Sequence, residues 1–350
     1  MKTGVLLMNT GTADAPNVEA IRRYLREFLS DPAIIGAPAP IRNRIVNHIV
    51  KNRPPRTLAN YEAFWTEQGS PFIIASNSQA EKLEAELNAR GIGEFKVELG
   101  MRYGNPSIAN ALGALREADC EQLVLLPAYP QQTNVCAGTC INRARAALAD
   151  MKAASGWNPI VSDALYFYDL PAYKDALAKQ VAKHWRYEPG AKLVVSFHST
   201  MLADIKAGDP YKAQTEQTAA WLAEALNVPA KDYIVSYQSR FDNRKWLQPF
   251  TEPTVLGLAA SGVKNLCIVC PIFTAENMET ALEINRDLRG SYLAAAPQGA
   301  SFTYVPALNA SDGLIAALAD ATEKALSGGF KGEQSGIGST ADTSVPGMLH

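Results

Sequence analysis

Leu193-Val194-Val195-Ser196-Phe197-His198-Ser199 reads as a buried strand that runs straight into a histidine. Polarity changes abruptly from Ser196 to Ser199, and in an open parallel sheet the carboxyl end of a strand is where loops splay apart and ligands bind. The other three histidines, His48, His184 and His350, follow no strand-like run. Taken alone, His198 reads as readily as a core or capping histidine satisfied by neighbouring backbone. A second stretch shifts the balance. Cys270-Pro271-Ile272-Phe273-Thr274-Ala275-Glu276-Asn277-Met278-Glu279-Thr280 also follows a buried strand, Asn265 to Val269, and opens a helix with carboxylates.

Outward from these two stretches the chain alternates strand and helix. Gly4 to Met8 is a strand; Asn17 is placed to cap a helix from Glu19 to Leu29, which Ser30-Asp31-Pro32 stops. The strand Glu94 to Gly100 ends in Met101-Arg102-Tyr103, a helix covers Ile108 to Glu117, and the strand Gln122 to Leu126 ends at Pro127. Later, Asp232 to Tyr237 ends in Gln238-Ser239-Arg240-Phe241, a helix runs around Thr254 to Ser261, and Asn265 to Val269 ends in Cys270-Pro271. Each half thus sets an Arg–aromatic pair after one strand and a proline after the next. This echo predicts an α/β chain of two similar halves with parallel sheets, facing each other across a cleft. The halves divide as residues 1–155 and 156–326, and the Gly-, Ser- and Thr-rich tail 327–350 is expected to be disordered.

With 350 residues, 47% hydrophobic and 19% charged, the chain has ample material for a core. A net charge of −2 argues against nucleic acid held by phosphate contacts. No apolar run approaches the roughly 20 residues of a membrane helix, and Met1 to Met8 reads as a strand rather than a signal peptide, so a cytoplasmic protein is expected. Five cysteines do not form a disulfide framework. Cys136 and Cys140 are spaced C-x3-C, and Cys267 and Cys270 C-x-x-C, but the latter pair lies on an apolar strand where cysteines pack as small hydrophobes. A zinc ion or an iron–sulfur cluster is the lesser alternative, since both pairs would have to converge.

Neither a Gly-rich dinucleotide fingerprint nor a P-loop follows the first strand. Two other features carry chemistry. Glu276, Glu279 and Glu283 fall at i, i+3 and i+7, on one face of a helix; dipole complementation accounts for Glu276 but less well for Glu283. Residues 34–56 hold a stiff Ala37-Pro38-Ala39-Pro40 spacer and a short helix, Ile41 to Val50, which Pro54-Pro55 should end. This segment reads either as an ordinary amphipathic surface helix or as a lip whose apolar face covers a flat ligand while Arg53 meets a carboxylate. A basic amphipathic lip could also touch a membrane surface.

In order along the chain, Tyr24-Leu25 through Phe28-Leu29-Ser30-Asp31, Gly69-Ser70-Pro71, Met101 to Ser107, Tyr129-Pro130-Gln131, Ser196-Phe197-His198-Ser199, Gly208-Asp209-Pro210-Tyr211, Gln238 to Phe241, Trp246-Leu247, Glu279-Thr280 and Pro306 to Asn309 resemble the ferrochelatase family, from Gly4 to about Leu326. The resemblance implies two Rossmann-like halves around a porphyrin cleft and an enzyme that inserts ferrous iron into protoporphyrin IX to form haem. It implies no bound cofactor, with porphyrin and ferrous iron as substrates. Carried over by position, His198 and Glu279 are the catalytic pair and His198, Glu279 and Glu283 the metal-handling groups. Arg53, Tyr129, Phe273, Trp246 and Thr10 are the substrate-binding positions. The chain departs from the family at Ala275-Glu276-Asn277, where Ser-Asp-His is usual, at Thr200-Met201, at Gln132-Thr133 and at Thr10, where others place a bulkier residue. Those departures leave two alternatives: a chelatase of altered porphyrin or metal specificity (coproporphyrin, or metal removal), and a non-catalytic haem or porphyrin carrier.

Overall fold

The computed structural model describes residues 1–240 and 245–330. Phe241 and the tail from residue 331 onward lie outside the described residues. The elements run β1 (Lys2–Asn9), α1 (Val18–Ser30), α2 (Ala39–Phe64), α3 (Pro71–Ala89), β2 (Glu94–Met101), α4 (Ile108–Glu117), β3 (Gln122–Pro127), α5 (Thr139–Ser155), β4 (Ile160–Asp163) and α6 (Pro171–His184). They continue with β5 (Lys192–His198), α7 (Leu202–Lys206), α8 (Tyr211–Ala225), β6 (Tyr233–Gln238), α9 (Thr251–Ala260), β7 (Asn265–Val269), α10 (Arg289–Ala295), β8 (Ser301–Val305) and α11 (Asp312–Leu326). Two π-helical segments interrupt this series, Asn134–Gly138 before α5 and Glu279–Leu288 before α10.

The eight strands form two four-stranded parallel sheets, ordered β2-β1-β3-β4 and β6-β5-β7-β8. The two orders are the same, which is the architecture the strand endings predict. The expected boundary at residue 155 falls one strand early, because β4 pairs with β3 and closes the first sheet. The central strands are β1 and β5, with Val5 paired to both Val97 and Val124, and Val195 to both Val235 and Val269. Val5 to Met8 and Leu193 to Val195 are fully buried, as strands covered by helices on both faces must be. The chain order reverses around β1 and around β5, and a crevice opens there at the carboxyl ends. At the outer edge of β2, Asn88 and Glu84 of α3 occupy the strand's free backbone groups. Asn88 Oδ1 accepts from Phe95 N at 3.0 Å and Glu84 Oε2 from Val97 N at 2.8 Å, which blocks edge-to-edge pairing.

Three local expectations need correction. First, Pro54 and Pro55 do not end a helix: α2 runs unbroken for 26 residues with both prolines inside. A proline at position 54 cannot donate to the carbonyl four residues back. Here the orphaned Val50 oxygen accepts instead from Arg22 Nε of α1 at 3.2 Å. Buried Val46, Val50 and Pro54 face α1, whose Ala20, Ile21 and Leu25 complete a small core. Tertiary packing and one side-chain donor thereby outweigh the propensity against the helix. The Asn17 cap of α1 does form, its Oδ1 accepting from Ala20 N at 2.9 Å.

Second, the ordered chain extends past Ser327. Phe330 is 8% exposed and packs edge-on against Tyr166, with Lys324 over its ring. Third, α11 does not stay with the second sheet. It packs on α3, α6, β3 and β4, and Arg90 at the end of α3 bonds Asp320 at 2.8 Å and Glu323 at 2.7 Å. The last helix among the described residues therefore covers the first sheet.

Candidate active site

A cleft of about 300 Å³ lies where the carboxyl ends of both sheets converge under α1 and α2. Thr10 follows β1, Tyr103 follows β2, Tyr129 follows β3, His198 ends β5 and Phe273 follows β7; all five line it. The roof comes from Tyr24, Phe28, Arg53, Tyr61 and Phe64. Of the lip segment, Ile34 and Arg53 reach the cleft, whereas Val46 and Val50 are spent on α1 and Ile41 and Ile45 are 55% and 39% exposed. The apolar face expected to cover a ligand is thus replaced by the later turns of α2, Arg53 to Phe64, which unbroken helix carries over the cleft.

The loop after β1 lies close against the end of β2. Arg102 N donates to Asn9 O at 2.8 Å and Tyr103 N to Thr10 O at 2.9 Å. Gly11 makes this approach feasible: its φ is +99° and a Cβ there would stand 1.8 Å from the Tyr103 carbonyl oxygen. Thr10 Oγ1 is hydrogen-bonded to the Tyr129 hydroxyl. Arg102 is committed to Asp31, which also accepts the Tyr103 hydroxyl at 2.8 Å. Arg53, exposed on α2, is left as the cation at the mouth.

His198 is oriented by backbone. Its Nδ1 lies 2.6 Å from Ser199 O. A carbonyl oxygen only accepts, so Nδ1 carries the proton and the neutral ring keeps its basic lone pair on Nε2. Nε2 lies 3.9 Å from Glu279 Oε2, on the segment that follows β7, the neighbour of β5 in the same sheet. The Tyr211 hydroxyl donates to His198 O at 2.9 Å, and Phe273 stands edge-on to the imidazole at 6.5 Å between ring centres. Glu279 Oε2 also accepts from Ser239 Oγ at 2.7 Å, and Ser239 holds the left-handed φ of +63°. A non-glycine residue in that conformation is costly and belongs where the surroundings fix it.

Glu283 follows Glu279 along the π-helix and also lines the cleft. Its carboxyl is pushed up to about 7, by desolvation against the cleft wall and by the Glu279 charge, while Arg53 pulls the other way. The side chain is exposed and lines both this cleft and a neighbouring surface groove with Ser239 and Asp287. Glu276 is a correction. It precedes the π-helix, and its carboxylate turns from the cleft to accept from the hydroxyls of Tyr304 and Thr280 and from Ala307 N. The three-acid face expected at α-helical spacing therefore reduces to two acids.

The raised Glu283 carboxyl gives a pH-dependent expectation. Between the ordinary carboxylate range and about 7, the folded chain holds a proton there that the unfolded chain has released. The native state binds more protons, so this group makes stability fall as pH rises through that interval. Glu279→Gln removes one cause of the shift. The Glu283 titration, followed by carbon NMR of the labelled carboxyl, should move down from about 7; an unmoved midpoint would show that burial alone sets it.

Trp246 does not line the main cleft. It closes a cavity of about 40 Å³ behind His198, with Thr200, Met201 and Tyr211, and braces the loop after β5 through the Leu247 N to Thr200 O bond at 2.9 Å. The cysteine pairs also separate. Cys136 and Cys140 line the cleft, while Cys267 is buried within β7 and Cys270 follows it, bonded to Gln238. Burial pushes the Cys136 thiol up to about 12 and raises those of Cys140, Cys267 and Cys270. Among the described residues no three His, Cys, Asp or Glu side chains gather as a metal-holding group.

Sequence reasoning assigned no role to the aromatic roof. Tyr24 and Phe28 stack at 6.0 Å between ring centres, and their i, i+4 spacing was the available signal. Tyr61 and Phe64 were hidden because the prolines seemed to end their helix. Asn277, noted only as a departure, turns out to bond the start of the π-helix.

Two parallel sheets in one order, with a histidine and a carboxylate converging across an apolar cleft, define a two-lobed chelatase architecture. SirB from Bacillus subtilis with Fe3+ shares this fold: TM-score 0.53 at 13% identity, covering 95% of this chain and 98% of that one. The sirohydrochlorin chelatase SirB from Bacillus subtilis subspecies spizizenii in complex with cobalt superposes with TM-score 0.52 at 12% identity, over 93% of this chain and 95% of that one. In sequence, residues 2–326 match the ferrochelatase family. The ferrochelatase of Chromobacterium violaceum is 38% identical over 329 residues, 93% of this chain and 89% of that protein. That of Bordetella pertussis is 40% identical over 332 residues, with 93% and 89% covered. This chain belongs to the ferrochelatase family and is an enzyme of the metal-chelatase type.

Proposed function

We propose that this chain inserts ferrous iron into protoporphyrin IX, with His198 as the base for the pyrrole protons. The observation that carries this is the pairing of the basic Nε2 of His198 with Glu279 at 3.9 Å across an aromatic-walled cleft. A free porphyrin keeps two N–H protons in a planar ring, and a metal enters only when the ring bends and they leave. Closely packed walls can press the macrocycle out of plane at the expense of binding energy. The two protons leave in succession. His198 takes the first at Nε2 while Nδ1 stays on Ser199 O, the imidazolium is stabilised by Glu279 and hands that proton on to it, and the freed Nε2 takes the second. Glu283, with its carboxyl near 7, is suited to pass protons from Glu279 outward or to lend oxygens to the dehydrating metal.

The charge pattern favours a porphyrin whose carboxylates sit on one edge. Arg53 stands at the mouth for a propionate, whereas Arg102 deeper in is neutralised by Asp31 and offers little to further carboxylates. Anaerobic incubation with ferrous iron should show rapid insertion into protoporphyrin and poor insertion into coproporphyrin; the reverse order would overturn the substrate assignment. Arg53→Ala should weaken protoporphyrin binding about tenfold, the worth of one charge-assisted contact, with metal affinity unchanged. Porphyrin fluorescence quenching reads this directly, and equal affinities would remove Arg53 from the site. Exposed Ile41 and Ile45 beside Arg44 and Lys51 fit a peripheral contact with an anionic membrane surface by a protein that works in the cytoplasm. No helix among the described residues is long and apolar enough to cross a membrane.

A further inference from the structure

We infer that Asn277 is a positioning residue for Glu279: it caps the π-helix that carries this carboxylate and does no proton chemistry itself. The inference rests on the role proposed for Glu279. Asn277 Oδ1 accepts from Glu279 N at 2.9 Å and from Thr280 N at 3.1 Å, two donors that a helix start leaves without partners. The bonding is reciprocal. Thr280 Oγ1 accepts from Asn277 N at 3.1 Å, so the two residues form a capping box with threonine in place of the usual acid. Asn277 O also accepts the first turn's bond from Ala281 N at 2.9 Å. Thr280 is fully buried, and its hydroxyl passes the restraint to Glu276, whose carboxylate is held by Tyr304 and Ala307 N.

These contacts give Glu276 and Asn277, two of the residues that depart from the family pattern, one purpose. Glu276 anchors the base of the helix and Asn277 fixes its first N–H groups. The backbone of Glu279 is thus set by Asn277, while Ser239, in the loop after β6 of the same sheet, fixes its side chain. A side-chain amide neither gains nor loses a proton at neutral pH, so it is no general acid or base. Its contribution to the reaction is therefore the place of the neighbouring carboxylate, and misplacement by about 1 Å costs up to roughly 10²-fold in rate.

The test is a double-mutant cycle on the full chain, reading kcat for iron insertion and the porphyrin Kd separately. Asn277→Ala should lower kcat about tenfold or more and leave the porphyrin Kd within about twofold. Asn277→Ser, which retains a neutral capping oxygen, should recover most of the rate. In the Glu279→Gln background, Asn277→Ala should lower the rate no further, because what it positions is already gone. Parental kcat in Asn277→Ala would overturn the inference. So would an equal loss from Asn277→Ala with and without Glu279, since that marks general loosening. Should Asn277→Ala fail to fold, Asn277→Ser and Asn277→Val carry the same comparison, with serine active and valine impaired as expected and equal rates overturning it. Parental activity of Glu279→Gln would instead overturn the role of Glu279 itself.

Discussion

His198→Ala should abolish iron insertion while porphyrin binding survives. The reason is the absence of a substitute among the described residues. His48 and His184 lie on α2 and α6, neither lining the cleft, and the position two residues before Glu279 holds Asn277. Removal of a base placed to take the pyrrole protons costs typically 10²–10⁴-fold. The loss here should reach the upper end, because the same nitrogen would face the entering metal. The cleft's aromatic walls do not depend on the imidazole, so porphyrin should still quench and shift on binding. His198→Ala with near-parental rates at saturating porphyrin and ferrous iron would end the assignment. A parent protein that binds haem tightly and inserts no iron would favour a carrier.

The second large effect is structural. Gly11→Ala should destabilise the protein by about 3 kcal/mol or more and empty the site of activity. The added Cβ meets a backbone carbonyl at 1.8 Å, not the end of a mobile side chain, and the positive φ of 99° penalises any L-residue in addition. Relief requires the loop after β1 to leave the end of β2, which breaks the Tyr103 N to Thr10 O bond and shifts Thr10 from Tyr129. Denaturant titration with circular dichroism measures this. By contrast, Gly69→Ala, where φ is also positive but no atom lies within 4 Å, should cost only the backbone strain. Equal losses at the two positions would refute the steric account.

Much of the architecture was legible because strand, turn and helix residues fell in the same grammar twice. Buried strands announced themselves by unbroken apolar runs, and the polarity switch at His198 marked the ligand-binding end. The same signals failed where one residue's behaviour depends on a distant partner. Nothing near Pro54 shows that Arg22, on another helix, will satisfy the Val50 carbonyl. Spacing placed Glu276 with Glu279 and Glu283 because an α-helix was assumed; the segment is π-helical and begins only at Glu279. In a π-helix the bonds reach five residues rather than four, so an i, i+7 pattern no longer defines a face. The pairing of His198 with Glu279 came from the family resemblance, and no periodicity within the chain brings those two residues together.

The placement of α11 bears on how the protein is made. Strands β1 to β4 have all been synthesised by Asp163, yet the helix that seals their exposed side comes last among the described elements, at Asp312–Leu326. At about 5–20 residues per second the nascent first sheet waits roughly 10–30 s with apolar surface uncovered. The second lobe is completed during that interval and must not lock down before α11 has crossed back. A chain cut short before Asp312 would thus lose more than its final helix: it would leave the earliest-made half open to chaperones and to aggregation.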